Sequence, residues 1–216
     1  MIRNIVFDLS RVLIQFDTAR YARLAGVPET YIDQFRNAVY RSSEWLMMER
    51  RGITEEKAVA RMCARLPEQL HSCVQETVSG WWKHPILPME GMCALLQELK
   101  ENGYRLYLLS NARETVHIYG KRIPGLELFD GKMFSCDVGI LKPQQRIFEA
   151  LCDEYHLLPE ECFFVDDVTA NVEAAMGIGF QATVFHQRVD TLRREMLEVG
   201  IRIGGKMTDV IGTTNQ

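Results

Sequence analysis

Three short apolar runs that each end on a side chain capable of chemistry constrain this chain more than any other feature of it. Ile2 to Phe7 leads to Asp8, Tyr104 to Leu109 leads to Ser110-Asn111, and Cys162 to Val165 leads to Asp166-Asp167. Runs this short, rich in β-branched and aromatic residues, predict strands buried on both faces. Between them the period changes to that of a helix. Met89, Met92, Leu95, Leu96 and Leu99 make one apolar face, with Gly103 as its stop. Pro143, next to Lys142, is expected to open a second helix at its first position, carrying Ile147, Leu151 and Tyr155. A third helix through Val172–Met176 ends near Gly177 or Gly179, and Phe180 to Phe185 predicts a fourth strand. Strands alternating with helices imply an α/β fold: a Rossmann-like parallel sheet with right-handed crossovers.

The segment from Phe16 to Lys83 departs from this alternation. It holds no comparable strand, only helical patterning such as Ala58, Met62 and Leu66 behind Thr54, a candidate N-cap. Leu46-Met47-Met48 and Trp81-Trp82 add apolar bulk. We therefore expect an inserted α-helical unit over residues 16–83, and a core built from 1–15 and 84–216. At about 150 residues per domain, 216 residues suit one domain with a large insertion. The polar, glycine-containing end from Gly204 to Gln216 is expected to fray.

Composition excludes several classes of function. With 47% apolar and 25% charged residues the chain is an ordinary globular protein. Its 25 basic against 29 acidic residues give a net charge of −4, which offers no electrostatic footprint for nucleic acid. No apolar run approaches the roughly 18 residues of a membrane helix, and Ile5-Val6-Phe7 is too short for a secretory signal. The six cysteines form no Cys-x-x-Cys pair and several occupy apolar helical positions, which predicts reduced, buried thiols and a cytoplasmic protein.

In an open parallel sheet the carboxyl ends of the strands border the ligand crevice. Asp8, Ser110, Asn111, Asp166 and Asp167, with Lys142 just ahead of a helix, would therefore meet at one edge. Carboxylates, an ammonium and a hydroxyl gathered there can bind a hard divalent cation together with a phosphate. Asp8 is the candidate nucleophile. Taken singly, each has a plainer role: a strand-end Asp forms turns, Ser-Asn caps helices, and Asn171 is an ordinary first-turn residue. The five histidines lack ligand spacing and are expected to be structural, and Glu49-Arg50-Arg51 to be a solvated helix end.

Phe7-Asp8-Leu9-Ser10-Arg11-Val12-Leu13, Leu109-Ser110-Asn111, Leu141-Lys142-Pro143 and Phe164-Val165-Asp166-Asp167-x-x-x-Asn171 resemble the four ordered motifs of the haloacid dehalogenase superfamily. Within it, the chain is similar to sugar-phosphate phosphatases such as bacterial glucose-1-phosphatase and to the phosphatase domain of soluble epoxide hydrolase. The resemblance implies that 16–83 is a mobile helical cap. It implies a Mg²⁺-dependent hydrolase of a small-molecule phosphate ester, with an aspartyl-phosphate on Asp8. By the same resemblance the ion would be held by Asp8, the Ser10 main-chain carbonyl and Asp167. Ser110, Asn111 and Lys142 would hold the phosphoryl group, and Asp166 and Asn171 would stand behind them. Arg11 departs from the family, which usually has a small residue there, and is expected either to contact an anionic substrate or to pair with a cap carboxylate.

One departure is chemical. Phosphatases of the superfamily commonly carry a second Asp two residues after the nucleophile, to protonate the leaving group, and this chain has Ser10 there. Positioned acid–base catalysis is typically worth about 10²–10⁴-fold, and a serine hydroxyl does not supply it near neutral pH. The alternatives that share the motifs are a metal-free 2-haloacid dehalogenase and a non-catalytic phosphate- or phosphosugar-binding protein.

Overall fold

The strand at the centre of the molecule is β1, Asn4–Phe7, every residue of which is buried. A computed structural model describes residues 1–204; of the tail expected to fray, 205–216 lie outside the described residues. β2 (Arg105–Ser110), β3 (Gly131–Phe134), β4 (Cys162–Asp166) and β5 (Gln181–Val184) complete a five-stranded sheet of order β3-β2-β1-β4-β5. Every pairing is parallel. The predicted strands are present within a residue or two of their expected ends, and the α/β fold holds.

β3 is the strand that patterning does not reveal. Gly-Lys-Met-Phe is short, and Lys132 is exposed at the sheet edge. Its signal is tertiary: the Tyr155 hydroxyl accepts from Lys132 N–H and donates to Lys132 C=O, both at 2.9 Å, occupying edge groups that no further strand takes. Only glycine fits at 131, because a Cβ there would meet the Tyr155 ring at 2.5 Å.

Between β1 and β2 run α1 (Thr18–Leu24), α2 (Ile32–Ala38), α3 (Ser43–Glu49), α4 (Glu55–Cys63) and α5 (His71–Gly80). Their starts are written locally. Asp17 accepts from Ala19 and Arg20 N–H, Ser42 from Trp45 N–H, and Thr54 from Lys57 N–H. The later helices are α6 (Met92–Glu101), the single turns α7 (Val116–Tyr119) and α8 (Ser135–Val138), then α9 (Gln145–Tyr155), α10 (Thr169–Gly177) and α11 (Val189–Glu198). α9 starts two residues after Pro143, which sits in a turn instead of at the expected first helical position. The Lys142–Pro143 peptide is cis.

Alternation along the strands sorts the core into two layers. Val6, Tyr107, Leu109 and Phe164 pack with Ile147, Phe148 and Leu151 of α9. Ile5, Phe7, Leu106, Leu108 and Phe163 pack with Leu95 and Leu99 of α6 and Leu192 of α11. This second layer continues without a break into Tyr21, Phe35, Met62 and Val74 of the helices that follow β1. Fully burying each such side chain contributes about 1.5–3 kcal/mol. The six cysteines are free, and four of them are buried. Among the described residues no helix is long and apolar enough to cross a membrane.

Candidate active site

Because β1, β2 and β4 are parallel neighbours, with Phe7 level with both Leu108 and Val165, their carboxyl ends open on the same edge. Asp8 follows β1, while Ser110 and Asp166 close β2 and β4. Lys142 arrives from the loop ahead of α9 and reaches between them. Its Nζ donates to Asp8 Oδ1 at 2.6 Å, to Asp166 Oδ2 at 2.6 Å and to Leu109 C=O at 2.8 Å. All three charged side chains are buried. An ammonium with three donors is thus fully used, and it separates two carboxylates that would otherwise repel.

Burial raises the Asp8 carboxyl to about 7, against the opposing pull of Lys142 and with a further push from Asp166. For Lys142, burial disfavours the charge but the attraction of Asp8 and Asp166 outweighs it, so its pKa rises and the ammonium persists. Asp166 is committed inside the protein. Besides Lys142 it takes Val168 N–H at 2.8 Å, and Asn171 Nδ2 donates to both of its oxygens at 3.0 Å. Asp167 turns outward instead, 3.3 Å from the Arg11 guanidinium. Burial raises its pKa and Arg11 offsets part of that rise.

The loop after Asp8 closes tightly. Arg11 N–H donates to Ile14 C=O at 2.7 Å, and Arg11 takes φ +65°, a left-handed conformation that costs a residue with a Cβ about 1–2 kcal/mol. Ser10 lies in this loop, partly exposed. Ser110 is fully buried, and its hydroxyl makes only a long 3.4 Å contact to Asn111 C=O. Asn111 spends its amide on the Lys142 backbone: Nδ2 donates to Lys142 C=O at 3.1 Å and Oδ1 accepts Lys142 N–H at 2.9 Å. It fixes the lysine's loop with its oxygen and one of its two N–H groups.

Two residues at this edge, Arg113 and Glu49, escape sequence reasoning. Arg113, three past Ser110, is buried and crosses to the helical side, donating to Val78 C=O at 2.6 Å with its guanidinium 4.9 Å from the Trp45 ring. Tyr119 of α7 stacks edge-on against Trp81 at 5.1 Å. Glu49, expected at a solvated helix end, is partly buried, and its backbone C=O is tied to Ser135 at the sheet edge, so that expectation is corrected. The signal for it would have been its spacing: Trp45 lies one helical turn earlier, and its indole N–H donates to Glu49 Oε1 at 3.0 Å. His117 turns to Asp137, at 2.9 Å. An open groove of about 1220 Å³ leads away from Arg11, lined among others by Phe16, Tyr40, Arg36, Arg41 and Arg188.

Comparison with known proteins gives a consistent frame. Residues 2–179 match the family model for haloacid dehalogenase-like hydrolases. A drimenol cyclase of Aspergillus calidoustus is 25% identical over 92% of this chain. A D-ribitol-5-phosphate phosphatase of Bacteroides thetaiotaomicron is 25% identical over 84% of this chain and 90% of its own. The chain spans 37% of the cyclase's length, and less than half the length of the first curated relatives it matches. A family enzyme from the same Bacteroides species, solved with magnesium and inorganic phosphate, shares the fold with a TM-score of 0.64 at 20% identity, covering 85% of this chain and 94% of that one.

Proposed function

The chain belongs to the haloacid dehalogenase-like hydrolase family, and from that premise we propose that it is a Mg²⁺-dependent phosphomonoester hydrolase working through an aspartyl-phosphate. The observation that carries this reading is Lys142 held at 2.6 Å from both Asp8 and Asp166 on the sheet's carboxyl edge. An ammonium so placed favours the ionised form of Asp8 against the effect of burial and aims it, and it lies where a phosphoryl group approaching Asp8 would need positive charge. Relatives that hydrolyse phosphate esters, and a fold neighbour solved with magnesium and phosphate, support the same reading.

The donor set suits a hard cation. Asp8 and Asp167 offer carboxylate oxygen from neighbouring strand ends, and the edge carries three carboxylates against Lys142 and Arg11. Asp8, the Ser10 carbonyl and Asp167 would hold Mg²⁺, which would supply charge neutralisation between the carboxylate and the incoming phosphate. The chain's own residues do the rest. Asp8 attacks phosphorus and becomes the acyl phosphate, and water then releases inorganic phosphate. Ser110, whose hydroxyl has no strong partner, donates to a phosphoryl oxygen, and Lys142 supplies positive charge beside it. Asn111 positions Lys142, while Asp166 and Asn171 hold it from behind.

We assign residues 16–83 to a cap over the site, residues 1–15 and 84–216 to the core, and Arg11 to the substrate. The arginine-lined groove beside Arg11 favours a small phosphorylated metabolite, a sugar phosphate among the candidates. The test is p-nitrophenyl phosphate hydrolysis with Mg²⁺ and with EDTA, beside Asp8→Asn. Turnover that needs Mg²⁺ and falls at least about 10³-fold in the variant is expected. Turnover that persists in Asp8→Asn would overturn the nucleophile, and turnover unmoved by EDTA would overturn the metal.

A further inference from the structure

Resting on the phosphatase reading, we infer that Glu49 supplies, from the helical side, the proton donor that the chain lacks at Ser10. Two glutamates of α3 show why. Glu44 is buried against Arg65, which grips it through both guanidinium nitrogens at 3.2 and 2.7 Å and holds its carboxyl below the usual range. Glu49, at the other end of the same helix, has no cation within 4 Å among the described residues, and its one side-chain partner is the Trp45 indole N–H. A carboxyl left in these surroundings without an ion pair is placed to act as an acid.

Its position is set by the backbone. Glu49 C=O accepts from Ser135 Oγ at 2.6 Å, and that same oxygen accepts Ala112 N–H at 3.0 Å. Ser135 follows β3, and Ala112 lies two residues past Ser110, so the end of α3 is tied to the carboxyl edge of the sheet beside the phosphate-binding turn. The Glu49 carboxyl accepts from Trp45 on its own helix, and the charges that act on it are those of Arg113 from the loop after β2 and of Asp8 and Lys142 on the sheet edge, while it acts in turn on Tyr119 of α7. Burial raises the carboxyl to about 7, where it is a working acid and its anion a working base.

The step balances. Asp8 oxygen bonds to phosphorus, the bond from phosphorus to the ester oxygen breaks, and its electron pair goes to that oxygen. The Glu49 proton follows it, so the alcohol leaves neutral and Glu49 is left ionised. Water then attacks the acyl phosphate and returns a proton to Glu49, while Asp8 leaves as carboxylate. Glu49 does for this chain what an Asp two residues beyond the nucleophile does elsewhere in the family.

The experiment compares kcat/KM on p-nitrophenyl phosphate, whose leaving group needs no proton, with a primary alkyl phosphate, whose leaving group does. Glu49→Gln keeps an oxygen for the Trp45 indole. It is expected to lower kcat/KM for the alkyl phosphate by about 10²-fold or more, and kcat/KM for p-nitrophenyl phosphate at least about tenfold less. The two differ because kcat/KM ends at the phosphorylation step and leaves out the water attack in which Glu49 serves both esters alike. Adding Ser10→Asp to that variant is expected to recover at least about tenfold on the alkyl ester. Equal losses on both esters, or none, would overturn the role of Glu49 and leave the phosphatase reading standing. A wild-type chain inert to both esters would overturn the two together.

A readout on the unmodified protein covers the case in which the variant fails to fold. The ratio of alkyl to p-nitrophenyl turnover cancels the ionisation of Asp8, which both esters need. That ratio should fall as pH rises through about 7. A flat ratio from pH 6 to 9 would overturn the inference.

Discussion

On the sheet side of the crevice, buried charge is matched partner by partner: Lys142 takes Asp8, Asp166 and Leu109 C=O, and Asn171 and Val168 N–H complete Asp166. On the helical side the wall is aromatic. Phe16 packs against Tyr21, Tyr40, Trp45 and Trp81 with ring centres 4.9 to 6.5 Å apart. Within it the Tyr21 and Tyr40 hydroxyls, Thr77 Oγ1 and Trp82 Nε1 are buried without a hydrogen-bond partner. The sheet edge is therefore preorganised electrostatics, in which no donor must be found when substrate arrives. The helical wall rests on burial, and it carries unmatched polar atoms that each cost about 1–3 kcal/mol. Rigid chemistry faces an adaptable surface.

Arg113 joins the two sides, so its removal is the largest perturbation of the comparison. Its N–H to Val78 C=O, its contact with Met48 Sδ at 3.6 Å and its place over Trp45 are all made across the seam. Burial itself lowers its pKa, so the charge is held there at a cost. Arg113→Met should lose about 2–4 kcal/mol, because Val78 C=O is left buried and unpaired while Glu55, 3.7 Å from the guanidinium, loses its ion-pair partner. A denaturant midpoint that falls at unchanged slope is the expected result. An unchanged midpoint would mean that apolar contact alone holds the helices to the sheet.

Asp8 tests the cost of the preorganised side. Its carboxyl rises from 3.8 in the open chain to about 7 in the fold, so the folded state binds the proton more tightly. Stability is therefore lost as pH climbs from about 4 to about 7, and the loss is complete above that. Asp8→Asn removes one of two carboxylates sharing Lys142 and should stabilise the metal-free protein by about 1–2 kcal/mol at pH 8. The gain should shrink toward nothing at pH 4. Thermal melts in EDTA at the two pH values check it; a gain that does not depend on pH would place the cost elsewhere.

The same contrast explains what could be read in the sequence. Asp8, Ser110 and Asp166 were legible because a strand announces its own end, and parallel topology then does the gathering. Thr54 was legible as a cap because a cap is a local hydrogen bond. Glu49 and Arg113 were not, since each acquires its meaning from a partner far along the chain: Ser135 for one, Val78 for the other. A charge run on a helix end and an Arg after a turn look solvated until the opposite wall is known. β3 was hidden for the same reason, its edge being completed by Tyr155 and not by its own pattern. Asn111 shows a finer limit, for its position was legible and its task was not: adjacency to Ser110 suggests a phosphate ligand, while the amide is spent on Lys142.

The smallest effect falls on the unmatched wall. Thr77 is buried in α5 with its hydroxyl unpaired, so Thr77→Val replaces an unsatisfied polar atom by a methyl of similar size at a helical position equally unfavourable for both residues. The variant should gain up to about 1 kcal/mol, since burying a methyl is favourable where burying an unpaired hydroxyl is not. A loss of stability would show that the hydroxyl has a partner in solution, the neighbouring Tyr40 hydroxyl being the candidate, and the two walls would then be less different than their hydrogen bonds indicate. The matching change on the sheet edge, Asn171→Leu, gives the opposite sign, because it strips two 3.0 Å contacts from a carboxylate that has no access to water. Opposite signs for one type of change, polar to apolar at constant size, separate a wall whose polar atoms are structural from one whose polar atoms are surplus to the fold.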